Sequence, residues 1–187
     1  GDDPRQALVS LHQRLDLIYD ARPENHPIDR VLSQIVIDHK LPRGLLDALL
    51  EGFEWDTDGR DYNTLAEVCD YGARVAGTVG VMMAILMGVK VHATLARAAD
   101  LGVAMQLTNI CRDVYADAKL DRRYLPAEIV GDIAPAEILL LTKDNDGAIR
   151  TGIKQILQIA EKYYESGLNG IRYLPWRRII FEFMVRR

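Results

Sequence analysis

Four polar side chains lie at helical spacing within an otherwise apolar stretch of the chain, and their types suit a bound cation. They are Gln106, Asn109, Asp113 and Asp117, which are three, four and four positions apart. At about 100° per residue, these side chains share one face of a helix, in a stripe roughly 80° wide. The residues between them are mostly apolar or small. This helix is therefore predicted to be buried, with its polar stripe facing something other than bulk water.

The two carboxylates of this stripe indicate a magnesium site. Asp113 and Asp117 lie one turn apart, so they repel each other, and burial adds a desolvation cost. A hard cation offsets both penalties, and Mg²⁺ bound by one or two carboxylates commonly holds substrate phosphates as well. A solvated surface face is the alternative for a generic pair of helical carboxylates. The amides of the stripe and its apolar surroundings favour the metal site and predict a diphosphate as the ligand.

Glycines inside the predicted helices indicate either close helix packing or a groove. Each one costs about 1 kcal/mol relative to alanine inside a helix. A structural reason is therefore needed for Gly77, Gly80, Gly88 and Gly102. Small residues let a neighbouring helix approach, and they also leave an apolar slot suited to a long tail on a diphosphate. The aliphatic and thioether side chains that would line this slot are Val75, Ala76, Val79, Met82 and Met83.

Hydrophobic side chains recur with helical period almost throughout the chain, which predicts an all-α protein with a single domain over residues 1–187. The sequence contains no alternating strand pattern of useful length. Helices are predicted from Pro4, near 28–38, from Pro42, near 64–87, near 94–118, over 149–171 and after Pro175. Loops or turns, where proline, glycine and aspartate cluster, are predicted at 22–27, 56–60, 121–126 and 144–147.

The composition is that of an ordinary globular domain and argues against several classes of function. A net charge of −4 gives no reason to expect a nucleic-acid partner. Cys69 and Cys111 lie in apolar helical patterns and are expected to be buried thiols. The four histidines are scattered, which argues against zinc. The sequence shows no signal-peptide pattern, so we expect a cytoplasmic protein.

Two motifs in the right order give the chain a resemblance to the squalene/phytoene synthase family. The first is Tyr71 followed by Ala76-Gly77-Thr78-Val79-Gly80, and the second is the polar stripe with Arg112 included. The later segment Arg122-Arg123-Tyr124-Leu125-Pro126 also resembles the family, in particular its bacterial phytoene synthases. The resemblance implies an isoprenoid-synthase (terpenoid synthase) helical bundle that joins two prenyl diphosphates head to head.

The resemblance also implies a role for each matched residue. Asn109, Asp113 and Asp117 would bind Mg²⁺, with Mn²⁺ as an alternative, and Gln106 would lie near the reacting carbons. Tyr71 would stand near the departing diphosphate, although a core tyrosine with a satisfied hydroxyl is the alternative. Helical geometry alone turns Arg112 about 100° away from its neighbour in sequence. The implied substrate-binding residues are Arg112, Arg122 and Tyr124 at the phosphates and Val75, Ala76, Val79, Met82 and Gly102 along the tail.

The sequence departs from the family pattern in three places. The family's first aspartate-rich motif is expected upstream of residue 1, and Asp2 and Asp3 lie in a loop-like context that does not match it. Ala116 stands where many relatives have an acid, and Gly72-Ala73 replaces a cysteine-aromatic pair. The chain is therefore interpreted as the middle and late part of such an enzyme, without its N-terminal helices and incomplete at both ends.

The resemblance predicts condensation of two geranylgeranyl diphosphates to phytoene through a cyclopropyl (prephytoene) diphosphate, the first committed step of carotenoid biosynthesis. No NADPH is expected, since Gly77-x-x-Gly80 lies within a helix and no strand precedes it. Three alternatives stay open: a squalene or dehydrosqualene synthase that uses farnesyl diphosphate, a non-catalytic homologue, and an inactive fragment. We expect a monomer. A solvated helix face or a contact with anionic lipid at a membrane is expected for the basic residues Arg172, Arg177, Arg178, Arg186 and Arg187.

Overall fold

The computed structural model describes residues 3–140, 142–171 and 173, and its secondary structure is helical. No strand occurs among these residues, which confirms the predicted all-α class. Asp2, the helix predicted after Pro175 and the basic residues Arg172, Arg177, Arg178, Arg186 and Arg187 lie outside the described residues. The elements are α1 (Pro4–Tyr19), α2 (Pro27–His39), α3 (Arg43–Thr57), α4 (Leu65–Gly72), a π-helical turn (Ala73–Gly77), α5 (Thr78–Leu86), α6 (His92–Ala118), α7 (Ala127–Val130), α8 (Pro135–Leu140) and α9 (Lys143–Ile171).

The 27-residue helix α6 is the central element, because α4, α5, α8, α9 and the π-helical turn all contact it. Leu107, Ile110 and Val114 of α6 are buried and share one hydrophobic core with Ile149 and Ile156 of α9. Each member of the polar stripe directly precedes a buried apolar residue in the sequence. The stripe therefore lies about 100° round the helix from the face that packs in the core.

The start of α4 is fixed by a capping box. Thr64 Oγ1 accepts a hydrogen bond from the Glu67 N–H at 3.2 Å, and the Glu67 carboxylate accepts one from the Thr64 N–H at 2.9 Å. Backbone N–H groups of Thr64 and Asn63 lower the pKa of this carboxyl. Because α4 begins at a defined residue, Tyr71 two turns later has a defined direction.

Glycines allow α6 to cross the π-helical turn and α5 with the backbones in direct contact. A Cβ atom on Gly102 would overlap the carbonyl group of Ala76, and one on Gly80 would overlap the carbonyl group of Ala98. No side chain separates the helices at these two positions. The glycines therefore serve close packing, and the groove described below runs beside the same crossing.

The turn predicted at 144–147 is wrong, because this segment belongs to the beginning of α9. Thr142 Oγ1 accepts a hydrogen bond from the Asn145 N–H at 3.3 Å, which caps the start of the helix. Asp146 and Arg150, one turn apart, form an ion pair with an N–O distance of 2.8 Å. Capping and pairing within the helix therefore override the turn preference of the local sequence.

One helical stretch among the described residues, Leu65–Leu86, is long and apolar enough to cross a membrane by length and composition alone. It includes the π-helical turn, and 33% of its most apolar window is buried inside the protein. The stretch contacts α3 and α6. Part of its apolar surface is thus used in internal packing, and another part forms a wall of the groove.

Replacing Gly102 by alanine is expected to destabilise the fold by about 1–3 kcal/mol, because the new methyl group meets backbone atoms of Ala76. The measurement is the free energy of unfolding in urea. Gly44→Ala is the matched control, since the Cβ position of this helical glycine is open. That change is expected to stabilise the protein by about 0.4–1 kcal/mol. Equal stability of Gly102→Ala and the wild type would contradict the close approach.

Candidate active site

An apolar groove of about 370 Å³ lies between α5, α6 and the end of α9, a volume typical of sites for small molecules. Met83 and Met105 are exposed in its wall, so the groove is open to the surface. Val75, Ala76, Val79 and Gly102 belong to the lining, as predicted, and their binding of a tail stays a prediction. The full lining is Val75, Ala76, Val79, Gly80, Met83, Ala84, Met87, Thr94, Arg97, Ala98, Leu101, Gly102, Met105, Gln106, Asn109, Gly167, Gly170 and Ile171.

The prediction that Met82 lines the groove is wrong. Its side chain packs against the buried cluster between α1 and α2, and Met83 lines the groove. The single helix predicted near 64–87 is divided by the π-helical turn, in which i→i+5 hydrogen bonding accommodates an extra residue. Val75 and Met82 would share a face of an unbroken α-helix. Because the turn contains an extra residue, Met83 instead of Met82 shares the face of Val75.

The polar stripe of α6 begins in the groove and continues beyond it. Gln106 and Asn109 line the groove, whereas Asp113 and Asp117 lie further along the same face of the helix. At 1.5 Å per residue, the stripe extends over about 16 Å. All four residues are half-buried, which suits a stripe that faces a cavity rather than the core or bulk water.

Arg112 and Asp113 form an ion pair although they are neighbours on the helix. Arg112 Nε donates to Asp113 Oδ1 at 2.8 Å, and a second guanidinium nitrogen donates to Oδ2. The long side chain bends back over the helix surface and overcomes the offset of about 100° expected from helical geometry. This hydrogen bonding lowers the pKa of the Asp113 carboxyl. The Arg112 side chain is 67% exposed, so solvent strongly screens the attraction between the two charges.

Asp117 is in the opposite electrostatic situation. Burial raises the pKa of its carboxyl, repulsion from Asp113 adds to the rise, and Arg122 opposes it. Asp56 of α3 also raises this pKa, which shows a third carboxylate within the same electrostatic field. The two acids of the stripe therefore differ, because Asp113 is neutralised by an arginine and Asp117 carries a charge that a cation would stabilise.

Asp56 belongs to the site although the sequence pattern assigns it to a polar turn. Its two carboxylate oxygens accept hydrogen bonds from Tyr71 OH at 2.9 Å and from Tyr124 OH at 2.7 Å. No spacing rule links Asp56 to tyrosines that are 15 and 68 positions away. Tyr71 is 4% exposed and lies outside the groove lining, so it is a buried tyrosine with a satisfied hydroxyl. Its role near a departing diphosphate stays a prediction.

The rings of three tyrosines stack beside Asp56. The centroids of Tyr71 and Tyr124 are 5.1 Å apart with an interplanar angle of 28°, and Tyr62 stacks on Tyr124 at 5.8 Å. Burial raises the pKa of Tyr71 and raises that of Tyr124 to about 12, and Asp56 adds to both shifts. Both hydroxyls are therefore protonated donors at neutral pH.

A buried arginine anchors the loop that follows α6. Arg123 is 5% exposed, donates to the Gly131 carbonyl at 3.0 Å and pairs with two exposed aspartates. Arg122 and Tyr124 flank this anchor and border a small pocket together with Asp117. The loop residues predicted to act at the phosphates therefore lie beside the second acid of the stripe.

The donor set of the stripe fits a cation that arrives with a phosphate. Among the residues that the structure describes, no group of three or more His, Cys, Asp or Glu is arranged to hold a metal ion. Asn109, Asp113 and Asp117 offer one amide and two carboxylates. Mg²⁺ commonly uses so few protein ligands when water and substrate phosphates complete its coordination. Binding of Mg²⁺ here stays a prediction.

Solved structures with the same arrangement of helices define the class of this protein. Squalene synthase HpnC from Alicyclobacillus acidocaldarius has a TM-score of 0.84 and 20% identity, covering 95% of this chain and 67% of that one. A dehydrosqualene synthase, crystallised in complex with ligand, has a TM-score of 0.70 and 25% identity. This match covers 89% of this chain and 59% of that one. The protein thus has the predicted helical fold of the terpenoid synthases.

Within that class, the chain belongs to the squalene/phytoene synthase family, whose sequence profile matches residues 1–186. It is 45% identical over 172 residues to the phytoene synthase of Cereibacter sphaeroides and 43% identical over 176 residues to that of Rhodobacter capsulatus. These matches cover 91% and 93% of this chain, and 48% and 52% of the two relatives. The chain therefore spans about half the length of the curated relatives it matches. The family predicted from the two motifs is confirmed.

In the absence of divalent cations at pH 7, replacing Asp117 by asparagine is expected to raise the free energy of unfolding. Because the folded-state pKa of Asp117 is raised, its ionised form opposes folding above the unfolded-state pKa. Relief of the i,i+4 repulsion is worth about 0.2–0.5 kcal/mol. Urea unfolding in EDTA measures the effect, with Asp70→Asn at an exposed position of α4 as the control. A loss of stability in Asp117→Asn alone would contradict the repulsion.

Proposed function

We propose that this protein is a prenyltransferase that condenses two geranylgeranyl diphosphates to phytoene through a cyclopropyl (prephytoene) diphosphate. One observation carries the proposal: the polar stripe of α6 starts inside the apolar groove and continues to two acids, the second of which lies beside Arg122. A diphosphate with a long apolar tail matches both parts of this arrangement. The relatives named phytoene synthase, at 45% and 43% identity, support the same substrate class.

Ionisation of a prenyl diphosphate needs stabilisation of the leaving anion and protection of an allylic cation. Arg112 and Arg122 would place positive charge at the diphosphate, and the aliphatic lining of the groove would shield the allylic cation from water. Mg²⁺, bound by the carboxylates and amide of the stripe, would supply further charge stabilisation. Gln106 lies in the lining at the boundary between stripe and tail, where the reacting carbons would lie.

Arg112 is proposed to change partner when substrate binds. In the structure its guanidinium group neutralises Asp113, and an exposed ion pair of this kind costs little free energy to break. A cation at Asp113 would replace Arg112 and leave the guanidinium group available to the diphosphate. The same side chain would then neutralise the acid before binding and the leaving group afterwards.

A squalene- or dehydrosqualene-type synthase is the second candidate, favoured by the two similar solved structures. Its substrate, farnesyl diphosphate, has a tail shorter by one isoprene unit. Met87 and Thr94 lie at the end of the groove remote from the stripe, where the length of the tail would be limited. A non-catalytic homologue is disfavoured because Asn109, Asp113 and Asp117 are all present.

The proposal includes a reaction without NADPH, carried out by a monomer in the cytoplasm. Phytoene formation needs no nicotinamide, whereas squalene formation does, so the cofactor requirement distinguishes a phytoene synthase from a squalene synthase. Peripheral contact with a membrane stays a prediction, because it depends on arginines outside the described part of the chain.

In the full-length protein, replacing Asp113 or Asp117 by asparagine is expected to lower kcat/KM by about 10²–10³-fold, because each change removes charge that would hold Mg²⁺ at the diphosphate. The measurement is release of diphosphate from geranylgeranyl diphosphate with Mg²⁺, and again with EDTA. Asp70→Asn is the control and is expected to keep the wild-type rate. Full turnover in EDTA, or in both variants, would contradict the role of the metal.

Product analysis with C20 and C15 diphosphates distinguishes the two candidate functions. The full-length wild type is expected to form a C40 hydrocarbon from geranylgeranyl diphosphate with Mg²⁺ and without NADPH. Formation of C30 products alone, from farnesyl diphosphate, would overturn the phytoene assignment and support a squalene-type synthase.

A further inference from the structure

Asp56 is the meeting point of three elements outside the stripe of α6. It lies in the last turn of α3, Tyr71 lies in the last turn of α4, and Tyr124 lies in the loop after α6. The two tyrosine O–H groups donate to different oxygens of the one carboxylate, at 2.9 and 2.7 Å. None of the roles proposed above includes Asp56, so these contacts need an explanation of their own.

The neighbouring tryptophan fixes the position of Asp56. The guanidinium carbons of Arg60 and Arg74 lie 3.9 and 4.2 Å from the centroid of the Trp55 ring. Arg74 also pairs with Glu51 of α3, with an N–O distance of 2.9 Å. These cation–π contacts and the ion pair hold the end of α3 against the π-helical turn. Asp56 is therefore an acceptor on a rigid support.

The two hydrogen bonds use the donor capacity of both tyrosines. A phenol has one proton to donate, so neither Tyr71 nor Tyr124 can donate to a diphosphate while it is bonded to Asp56. The bonds instead fix where the rings lie. Tyr124 shares its loop with Arg122, and both border the pocket that contains Asp117. The position of this loop beside the stripe is thus tied to α3.

We propose that Asp56 is a positioning residue. By accepting both phenol protons, it holds the loop of Tyr124 and Arg122 next to Asp117 and keeps Tyr71 aligned with that loop. Asp56 acts through the tyrosines and does not touch the substrate. The inference rests on the proposed prenyl transfer, because the effect of positioning is measured through that reaction.

The test is a double-mutant cycle in the full-length protein with Asp56→Ala and Tyr124→Phe. Alanine removes the acceptor, and phenylalanine keeps the stacked ring but removes the donor, so each single change breaks the same bond. Each is expected to lower kcat/KM for geranylgeranyl diphosphate by about 10–100-fold through misplacement of the loop. The double variant is expected to fall within about twofold of Asp56→Ala alone. Additive losses would overturn the inference.

A second comparison separates positioning from packing. Asp56→Asn keeps one acceptor oxygen, so it is expected to retain more activity than Asp56→Ala, with an unfolding temperature close to that of the wild type. Asp58→Asn, at an exposed acid two positions away, is the matched control with unchanged activity. Equal losses in Asp56→Asn and Asp56→Ala, matched by equal losses of stability, would overturn the inference.

The cycle also separates failure of the role of Asp56 from failure of the proposed function. A wild-type protein that turns over prenyl diphosphates, together with additive losses in the variants, overturns the role of Asp56 alone. A full-length wild-type protein that does not turn over prenyl diphosphates overturns the proposed function itself.

Discussion

The close approach of α6 to the π-helical turn and α5 is the constraint on which the rest of the structure depends. Gly102 and Gly80 bring the two backbones into contact, with no side chain between them. The groove therefore runs beside a crossing of fixed width, and the polar stripe, carried on the same α6, enters the groove at a fixed depth. Because protein interiors are close-packed, a change at this crossing would reach both the apolar and the polar part of the site.

Local spacing in the sequence is enough to predict most of the helices, the stripe and much of the groove lining. The stripe follows from the 3.6-residue period alone, whatever the tertiary structure. Asp56 could not be found in this way, since Tyr71 and Tyr124 belong to other elements and meet it only in the folded chain. The prediction for Met82 is wrong for a different reason, because an i→i+5 turn cannot be recognised from the spacing of hydrophobic residues.

The two acids of the stripe show how one helix can give identical side chains unequal surroundings. Asp113 is compensated by an arginine at the surface, whereas Asp117, one turn later, is partly desolvated and faces like charge. The electrostatic cost of the stripe is thus concentrated on one carboxylate. A ligand that relieves this cost binds the folded state and stabilises it by mass action. The unfavourable charge is therefore a property that suits binding rather than a defect of the fold.

The π-helical turn at Ala73–Gly77 determines how this part of the chain would respond to insertion or deletion. Loss of one residue there would allow a regular α-helix, and the residues of α5 would keep their present directions, because the turn accommodates one extra residue. If the same residues instead formed an unbroken α-helix, α5 would be rotated by about 100°, so that Met82 would face the groove and Met83 would face the cluster between α1 and α2. The wall of the cavity thus depends on the form of this turn as well as on the identities of the residues. A homologue without the extra residue would present the same wall on a regular helix.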